Sequence, residues 1–421
     1  MAQKEKVILA YSGGLDTTVI IPWLKENYDY DVIAVCVDAG QGDDWEKIKS
    51  RALKTGAAAC YVVDARQEYI EEYVWRALKA DCKYEDQYLL GTSTARPLIG
   101  KILVEYARQE GASAICHGAT GKGNDQVRFE LAIKAFAPDL KVIAAWRDEK
   151  WNMQSREEEI RFLEERGLEV PMKKEQSYSR DENIWHISHE GLELEKPENE
   201  PDYKHMLKNT IPPEETGEGE YVEIDFEKGI PTSVNGKRMN ALDLMIELNK
   251  IGGQNGIGIV DICENRCVGM KSRGVYETPG GTILYAAHES LEHLCLDRDT
   301  YHFKQIVSLK MSELIYDGKW FTPLMDACSA FVDKTQETCT GSVKLKLYKG
   351  TIRGAGTRSK YSLYNESIAS FTTGSLYDHR DAQGFITLFG LPLKVRALME
   401  QQIGEGQAIK ESTELKKRPT E

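Results

Sequence analysis

Ser12, Gly13, Gly14, Asp16, Thr17 and Thr18 crowd into one short stretch immediately after the apolar run Val7-Ile8-Leu9-Ala10-Tyr11. Two adjacent glycines let a backbone turn tightly or left-handed, and they let phosphate oxygens approach with no Cβ in the way. Ser12 with Thr17 or Thr18 can supply hydroxyl donors. A helix starting here would add unpaired N–H groups and its positive dipole end. The chemistry such a group serves is the binding of phosphate. No Gly-Lys-Ser/Thr closes the loop and its glycines lack the G-x-G-x-x-G spacing, so it is neither a Walker A loop nor a dinucleotide turn. The competing reading is a plain strand-to-helix connection capped by Ser12 or Asp16.

A loop of this kind needs a strand before it, a helix after it and a sheet to hold both. Over the first 150 or so residues, short β-branched runs alternate with longer amphipathic ones, the pattern of a doubly wound α/β domain with a parallel sheet. The expected strands are Val7–Tyr11, Val32–Val37, Ala59–Val63, Ala112–His117 and Lys141–Trp146. Helices are expected over Thr17–Asn27, Trp45–Thr55, Glu68–Leu78 and Arg96–Gln109, where apolar residues recur at steps of three and four. From Arg156 to Pro213 the chain turns highly charged and Pro-containing, which reads as a boundary or excursion. Beyond it, strand-like Tyr221–Phe226 and Val343–Leu347 mix with helices at Ala241–Ile251 and Leu284–Leu314, the order of a separate α+β domain. The division expected is 1–168 for the nucleotide-binding domain, 169–363 for a substrate domain, 364–402 for an arm with an amphipathic helix at Leu391–Met399, and 403–421 for a polar, disordered tail.

Composition narrows the class of function. With 421 residues, 41% hydrophobic and 29% charged, the chain is long enough for more than one core. A net charge of -13 argues against a bulk electrostatic grip on nucleic acid, which leans on clustered Lys and Arg. No apolar run approaches the roughly 18 residues that span a bilayer and no signal-peptide core follows Met1, so the expectation is a cytoplasmic protein without a membrane partner. Nine scattered cysteines read as reduced thiols, and the close pair Cys263 and Cys267 has no second pair or nearby His cluster to complete a metal site.

Ser-Gly-Gly-x-Asp-Ser/Thr after a first strand resembles the signature of the N-type ATP pyrophosphatases, which cleave ATP between its α and β phosphates. Further segments narrow the resemblance: Tyr88-Leu89-Leu90-Gly91-Thr92-Ser93-Thr94-Ala95-Arg96-Pro97, the stretch from His117 through Gly118-Ala119-Thr120-Gly121-Lys122-Gly123-Asn124-Asp125 to Phe129, Tyr178-Ser179-Arg180-Asp181, Cys263-Glu264-Asn265-Arg266, and Gly269 to Pro279. Together, from about residue 5 to residue 400, they resemble the argininosuccinate synthase family. The resemblance implies ATP on Ala10, Tyr11, Ser12, Gly13, Gly14, Leu15, Asp16, Thr17 and Thr18, with Val37 and Gly118 near the adenosine. It implies citrulline on Tyr88, Ser93, Asn124, Arg128, Ser179, Ser188, Glu264 and Tyr276, and aspartate on Thr92, Thr120, Asn124 and Asp125. Val37 stands where a smaller residue is expected and is the weakest ATP contact. A homotetramer, with a C-terminal segment reaching neighbouring subunits, is implied as well.

The residue types suit those substrates. Both amino acids carry α-carboxylates, and Arg128 offers a fork for one. The citrulline ammonium needs acceptors, which Glu264, Ser179, Ser188 and Tyr276 can provide. The implied reaction activates the ureido oxygen of citrulline on the α-phosphorus of ATP and then admits the aspartate amine. Ser12, Asp16 and Asp125 are the catalytic candidates. Asp16 either helps place Mg²⁺ or caps its helix, and Asp125 either accepts a proton or orients aspartate; beyond Asp16 no protein metal ligand is expected. Each residue has a plainer alternative: Arg128 as a solvated helix residue paired with Glu130 or Asp125, Ser179 and Ser188 as turn or cap residues, Glu264 in a strand-end ion pair, Tyr276 in a core. The rival functions are another pyrophosphate-loop amide- or thio-transfer enzyme and a catalytically silent nucleotide-binding regulator.

Overall fold

The computed structural model describes residues 4–171, 178–369 and 378–404. It divides into two compact units, Met1–Leu363 and Tyr364–Glu421. Within the first unit, β1 (Lys6–Ala10), β2 (Asp31–Asp38), β3 (Ala59–Asp64), β4 (Ala114–His117) and β5 (Lys141–Ala144) form one sheet in the order β3-β2-β1-β4-β5. Every pairing in it is parallel. Val7, Ile8 and Leu9 of the central strand are all fully buried, as a strand covered by helices on both faces requires. Strand order reverses between β1 and β4, and the crevice at the carboxyl ends of those strands is where such sheets bind ligands. The phosphate-type loop leaves β1 there, and residues 118–124 leave β4.

The five strands lie within two residues of where expected, and beyond β5 the chain forms a 3-10 turn over Ala145–Arg147. The expected helix near 68–78 is a wide π-helical stretch, Tyr69–Val74, continued by Trp75–Lys79. That stretch buries Tyr69, whose hydroxyl meets the carbonyl of Gly91 at 3.0 Å and Thr94 Oγ1 at 2.9 Å.

The charged segment from Arg156 to Pro213 carries regular elements among its described residues. It contributes helix Arg156–Glu164 and strands β6 (Ser179–Glu182) and β7 (Ile187–Glu190). With β11 (Ile259–Asn265) and β12 (Lys271–Glu277) these build a four-stranded antiparallel sheet in the order β11-β12-β7-β6. A second antiparallel sheet, β10-β9-β8-β13-β14, joins β8 (Glu220–Glu227), β9 (Ile230–Val234), β10 (Lys237–Arg238), β13 (Gly341–Tyr348) and β14 (Thr351–Arg358). The single helix expected over 284–314 is two, Pro279–Cys295 and Arg298–Tyr316. The break is local chemistry: the Asp297 carboxylate accepts the N–H groups of Asp299 at 3.1 Å and Thr300 at 3.0 Å and starts a new helix. One continuous apolar core runs from Ile8 and Val35 under the parallel sheet to Trp185, Tyr285 and Phe226.

In the second unit, helices Asp381–Phe389 and Leu391–Gln402 expose Phe385, Leu388, Phe389 and Leu393. The tail expected over 403–421 lies, from residue 405 onward, outside the described residues. Among the described residues no helix is long and apolar enough to cross a membrane.

Candidate active site

Gly13 has φ +76°, and a Cβ there would sit 2.8 Å from Ile48 Cγ1, so the turn after β1 needs glycine on both counts. Arg51 Nη1 holds the Gly13 carbonyl at 2.6 Å. Helix Leu15–Tyr28 begins at Gly14, and neither Ser12 nor Asp16 caps it. The hydroxyls instead tie the loop to itself: Ser12 Oγ lies 3.2 Å from Thr17 Oγ1, while Thr18 Oγ1 donates to the Gly14 carbonyl at 2.7 Å. A helix N-terminus without a capping side chain, behind a glycine turn, is an anion cradle. Asp16 stands in the first turn beside the buried Glu159, whose carboxyl is pushed up to about 8 by burial and then by the Asp16 charge.

Next to this loop lies a cavity of about 250 Å³. Ala10, Tyr11, Val35, Val37, Ile99 and Phe129 give it apolar walls of the kind that take a purine, with Ser12 and Thr17 on the loop side and Gly118 opposite the turn. Gly13, Gly14, Leu15, Asp16 and Thr18 are outside that wall and form the turn itself.

A second cavity, of about 320 Å³, is polar and charged. The register of the four-stranded sheet explains one side of it. Ser179 faces Glu190, Asp181 faces Ser188, Tyr276 faces Ser188 and Glu264 faces Ser272, so in strands of period two these side chains share one face. Asn124, Asp125 and Arg128 approach from the loop after β4 and from helix Asp125–Phe136. Tyr88 comes from the loop before helix Gly91–Glu110 and Thr92 from its first turn, where the Thr92 N–H donates to the Tyr88 hydroxyl at 3.0 Å. Thr120 also lines the wall.

Arg128 does pair with Asp125, at 3.0 Å, but it is only 3% exposed, so it is no solvated helix residue. Its Nε donates to the carbonyl of Tyr316 at 2.9 Å, and its Nη2 has no partner among the described residues. A buried guanidinium nitrogen not bonded to protein is a donor suited to an anion, since an unmet buried donor is costly. Glu264 accepts the hydroxyls of Tyr316 at 2.7 Å and Tyr276 at 3.2 Å, and burial pushes its carboxyl above the usual range. Asn124 is held at both ends of its amide, by the Tyr316 hydroxyl at 2.9 Å and the Cys267 N–H at 3.0 Å. Ser93 is the exception among the citrulline and aspartate candidates: it is fully buried, lines neither cavity, and its Oγ has no partner among the described residues.

Several residues here carried no assigned role in the sequence. Arg96 bridges Asp125 Oδ2 and Asp181 Oδ1, at 2.9 and 2.8 Å. Burial raises the Asp181 carboxyl, but the Arg96 charge outweighs this and holds it well below the usual carboxylate range. His186 sets its Nε2 3.1 Å from Thr92 Oγ1, and burial pushes its imidazole pKa down. Arg266 pairs with Glu190 at 2.7 Å. A signal was available for Arg96, a charge amid the apolar face of a helix, and for Asp181, which alternates with Ser179; none pointed to His186 or Tyr316. Five residues, Arg96, Gly118, Ala119, Asp125 and Asp181, line both cavities, so the two share a wall.

Comparison with known proteins bears on the same residues. Residues 6–169 match the Arginosuccinate synthase N-terminal HUP domain, and residues 178–396 match the Arginosuccinate synthase C-terminal domain. The chain is 65% identical over 401 residues to the argininosuccinate synthase of Brachyspira hyodysenteriae, covering 95% of this chain and 98% of that one. It is 63% identical over 396 residues to that of Lachnospira eligens, covering 94% and 97%, and 60% identical over 403 residues to that of Acetivibrio thermocellus, covering 96% and 99%. A loop built for phosphate, an adjoining charged cavity and likeness along nearly the whole length agree: the chain belongs to the argininosuccinate synthase family.

Proposed function

We propose that the protein joins citrulline to aspartate at the expense of ATP, releasing argininosuccinate, AMP and diphosphate through a citrullyl-adenylate. The observation that carries this reading is the shared wall: an apolar cavity beside the phosphate loop and a charged cavity meet at Arg96, Gly118, Ala119, Asp125 and Asp181. A nucleotide and a zwitterion in such cavities would react at their junction.

In the first step the ureido oxygen of citrulline attacks the α-phosphorus of ATP. An O–P bond forms, the bond to the bridging oxygen breaks, and diphosphate leaves with its electron pair. In the second step the aspartate amine attacks the ureido carbon; the C–O bond breaks, AMP departs, and the amine loses a proton. The N–H groups at the start of helix Leu15–Tyr28 stabilise charge on the departing diphosphate. Arg128 Nη2 takes the citrulline carboxylate, and Glu264 with Ser179 and Ser188 takes its ammonium. Thr120, Asn124 and Asp125 hold aspartate, and the ion pair with Arg96 orients Asp125 between the two cavities. Val37 and Gly118 flank the adenosine. Mg²⁺ fits the donor set, because one carboxylate, Asp16, at a phosphate loop suits an ion bound mainly by phosphate oxygens and water; when bound it would neutralise part of the phosphate charge.

A homotetramer is part of the proposal. It is supported by the apolar row Phe385, Leu388, Phe389, Leu393 and Val395, exposed on the second unit. The catalytic reading is tested by AMP release: the protein should form AMP from ATP only when citrulline and aspartate are both present, with argininosuccinate in equal amount. AMP formation with ammonia or a sulfur donor in place of aspartate would favour the amide- or thio-transfer alternative, and no turnover would favour the silent regulator.

A further inference from the structure

Helix Arg298–Tyr316 lines neither cavity, yet its last residue is bonded to three residues given above to substrates. The Tyr316 hydroxyl donates to Glu264 Oε1 at 2.7 Å and accepts from Asn124 Nδ2 at 2.9 Å, while its carbonyl accepts Arg128 Nε at 2.9 Å. The Arg128 guanidinium lies over the Tyr316 ring, 4.9 Å from its centroid. Tyr84 stacks on that ring at 3.5 Å with an interplanar angle of 6°, and its own hydroxyl donates to the carbonyl of Asn265, the residue after Glu264, at 2.6 Å. Tyr316 is 1% exposed.

The three bonded residues come from three elements: Asn124 from the loop after β4, Arg128 from helix Asp125–Phe136, and Glu264 from β11. Nothing in the main-chain pairing ties β11 to that helix. A phenol has one proton, and here it goes to the carboxylate, so the hydroxyl meets Asn124 as an acceptor. The Asn124 amide is therefore oriented, Nδ2 toward Tyr316 and Oδ1 toward the Cys267 N–H.

We propose that Tyr316 is a positioning residue of the reaction: it fixes the separation of Arg128 from Glu264, which sets the length of zwitterion accepted, and it fixes the amide of Asn124 between the two amino acids. The inference rests on the assignment of the charged cavity to citrulline. Tyr316 touches no substrate itself. It acts through a cation and an anion that must face the carboxylate and ammonium of one small molecule.

The test is Tyr316→Phe in the full chain, which keeps the ring, its stacking and the carbonyl and removes only the hydroxyl. The expected result is a rise of about tenfold or more in the citrulline KM, the scale of a hydrogen bond to a charged group, with the ATP KM within about twofold of the parent. A second readout separates positioning from packing. The hydroxyl favours the ionised form of Glu264, so its loss should move the acid limb of kcat/KM for citrulline to higher pH. An unchanged citrulline KM, an unmoved acid limb, or parallel rises in the citrulline and ATP KM with a lowered Tm would each overturn the proposal. If the parent enzyme shows no citrulline-dependent AMP release, the assignment of the cavity fails instead, and the two failures are distinguished by that control.

Discussion

Arg128 is where structure departs furthest from the plain reading of a charged helix residue. Of its three nitrogens, Nε and Nη1 are spent on the Tyr316 carbonyl and Asp125, and Nη2 is buried without a partner among the described residues. Lysine has a single nitrogen and no fork, so it cannot keep the two internal bonds and still receive a carboxylate. Arg128→Lys should raise the citrulline KM about 100-fold, the loss expected for a charge-assisted pair in a buried site, and change the ATP KM little. Steady-state kinetics with each substrate varied in turn would show it; an unchanged citrulline KM would remove Arg128 from the site.

At the scale of elements, the loop from Asp81 to Leu90 brings Tyr88 to the charged cavity and Tyr84 onto the ring of Tyr316, and it bends through positive φ at Asp81, Glu85, Asp86 and Leu90. Burial pushes the Asp81 carboxyl up to about 6, against the pull of Lys83. A carboxyl whose folded pKa lies above its unfolded value is bound more tightly to its proton in the folded chain, so folding stability is fully present below about pH 4 and is lost as pH rises toward 6. Asp81→Asn removes that loss, and asparagine tolerates the φ of 55°. The variant should be more stable than the parent at pH 7.5 by on the order of 1–2 kcal/mol, with the gap closing near pH 4 in thermal melts across pH.

The parallel sheet and its phosphate turn were legible because their signals are local: buried β-branched runs, alternating amphipathic helices, and a Gly-Gly turn that admits no Cβ at Gly13. The face shared by Ser179, Ser188, Tyr276 and Glu264 was not legible from pattern, because it depends on the register of strands from 179 to 277. Family resemblance supplied those residues where periodicity could not. Tyr316 was invisible to both, since its role comes from contacts nearly two hundred positions apart with Asn124 and Arg128. The break at Asp297 was a missed cap, legible in principle from an aspartate followed by two residues whose N–H groups it binds.

For the whole molecule, the exposed apolar residues of 381–402 are the surface on which the proposed homotetramer rests. Light scattering should give four copies of 47.5 kDa for the full chain, and a chain ended after Leu363 should give a smaller assembly; the same mass for both would assign the contact elsewhere. In the proposed reaction the ureido oxygen meets the α-phosphorus at the junction of the two cavities. The most direct test is turnover of ATP and aspartate with citrulline labelled by ¹⁸O in the ureido group. The label should appear in the phosphate of AMP, one atom for each argininosuccinate formed, and AMP free of label alongside argininosuccinate would contradict the account.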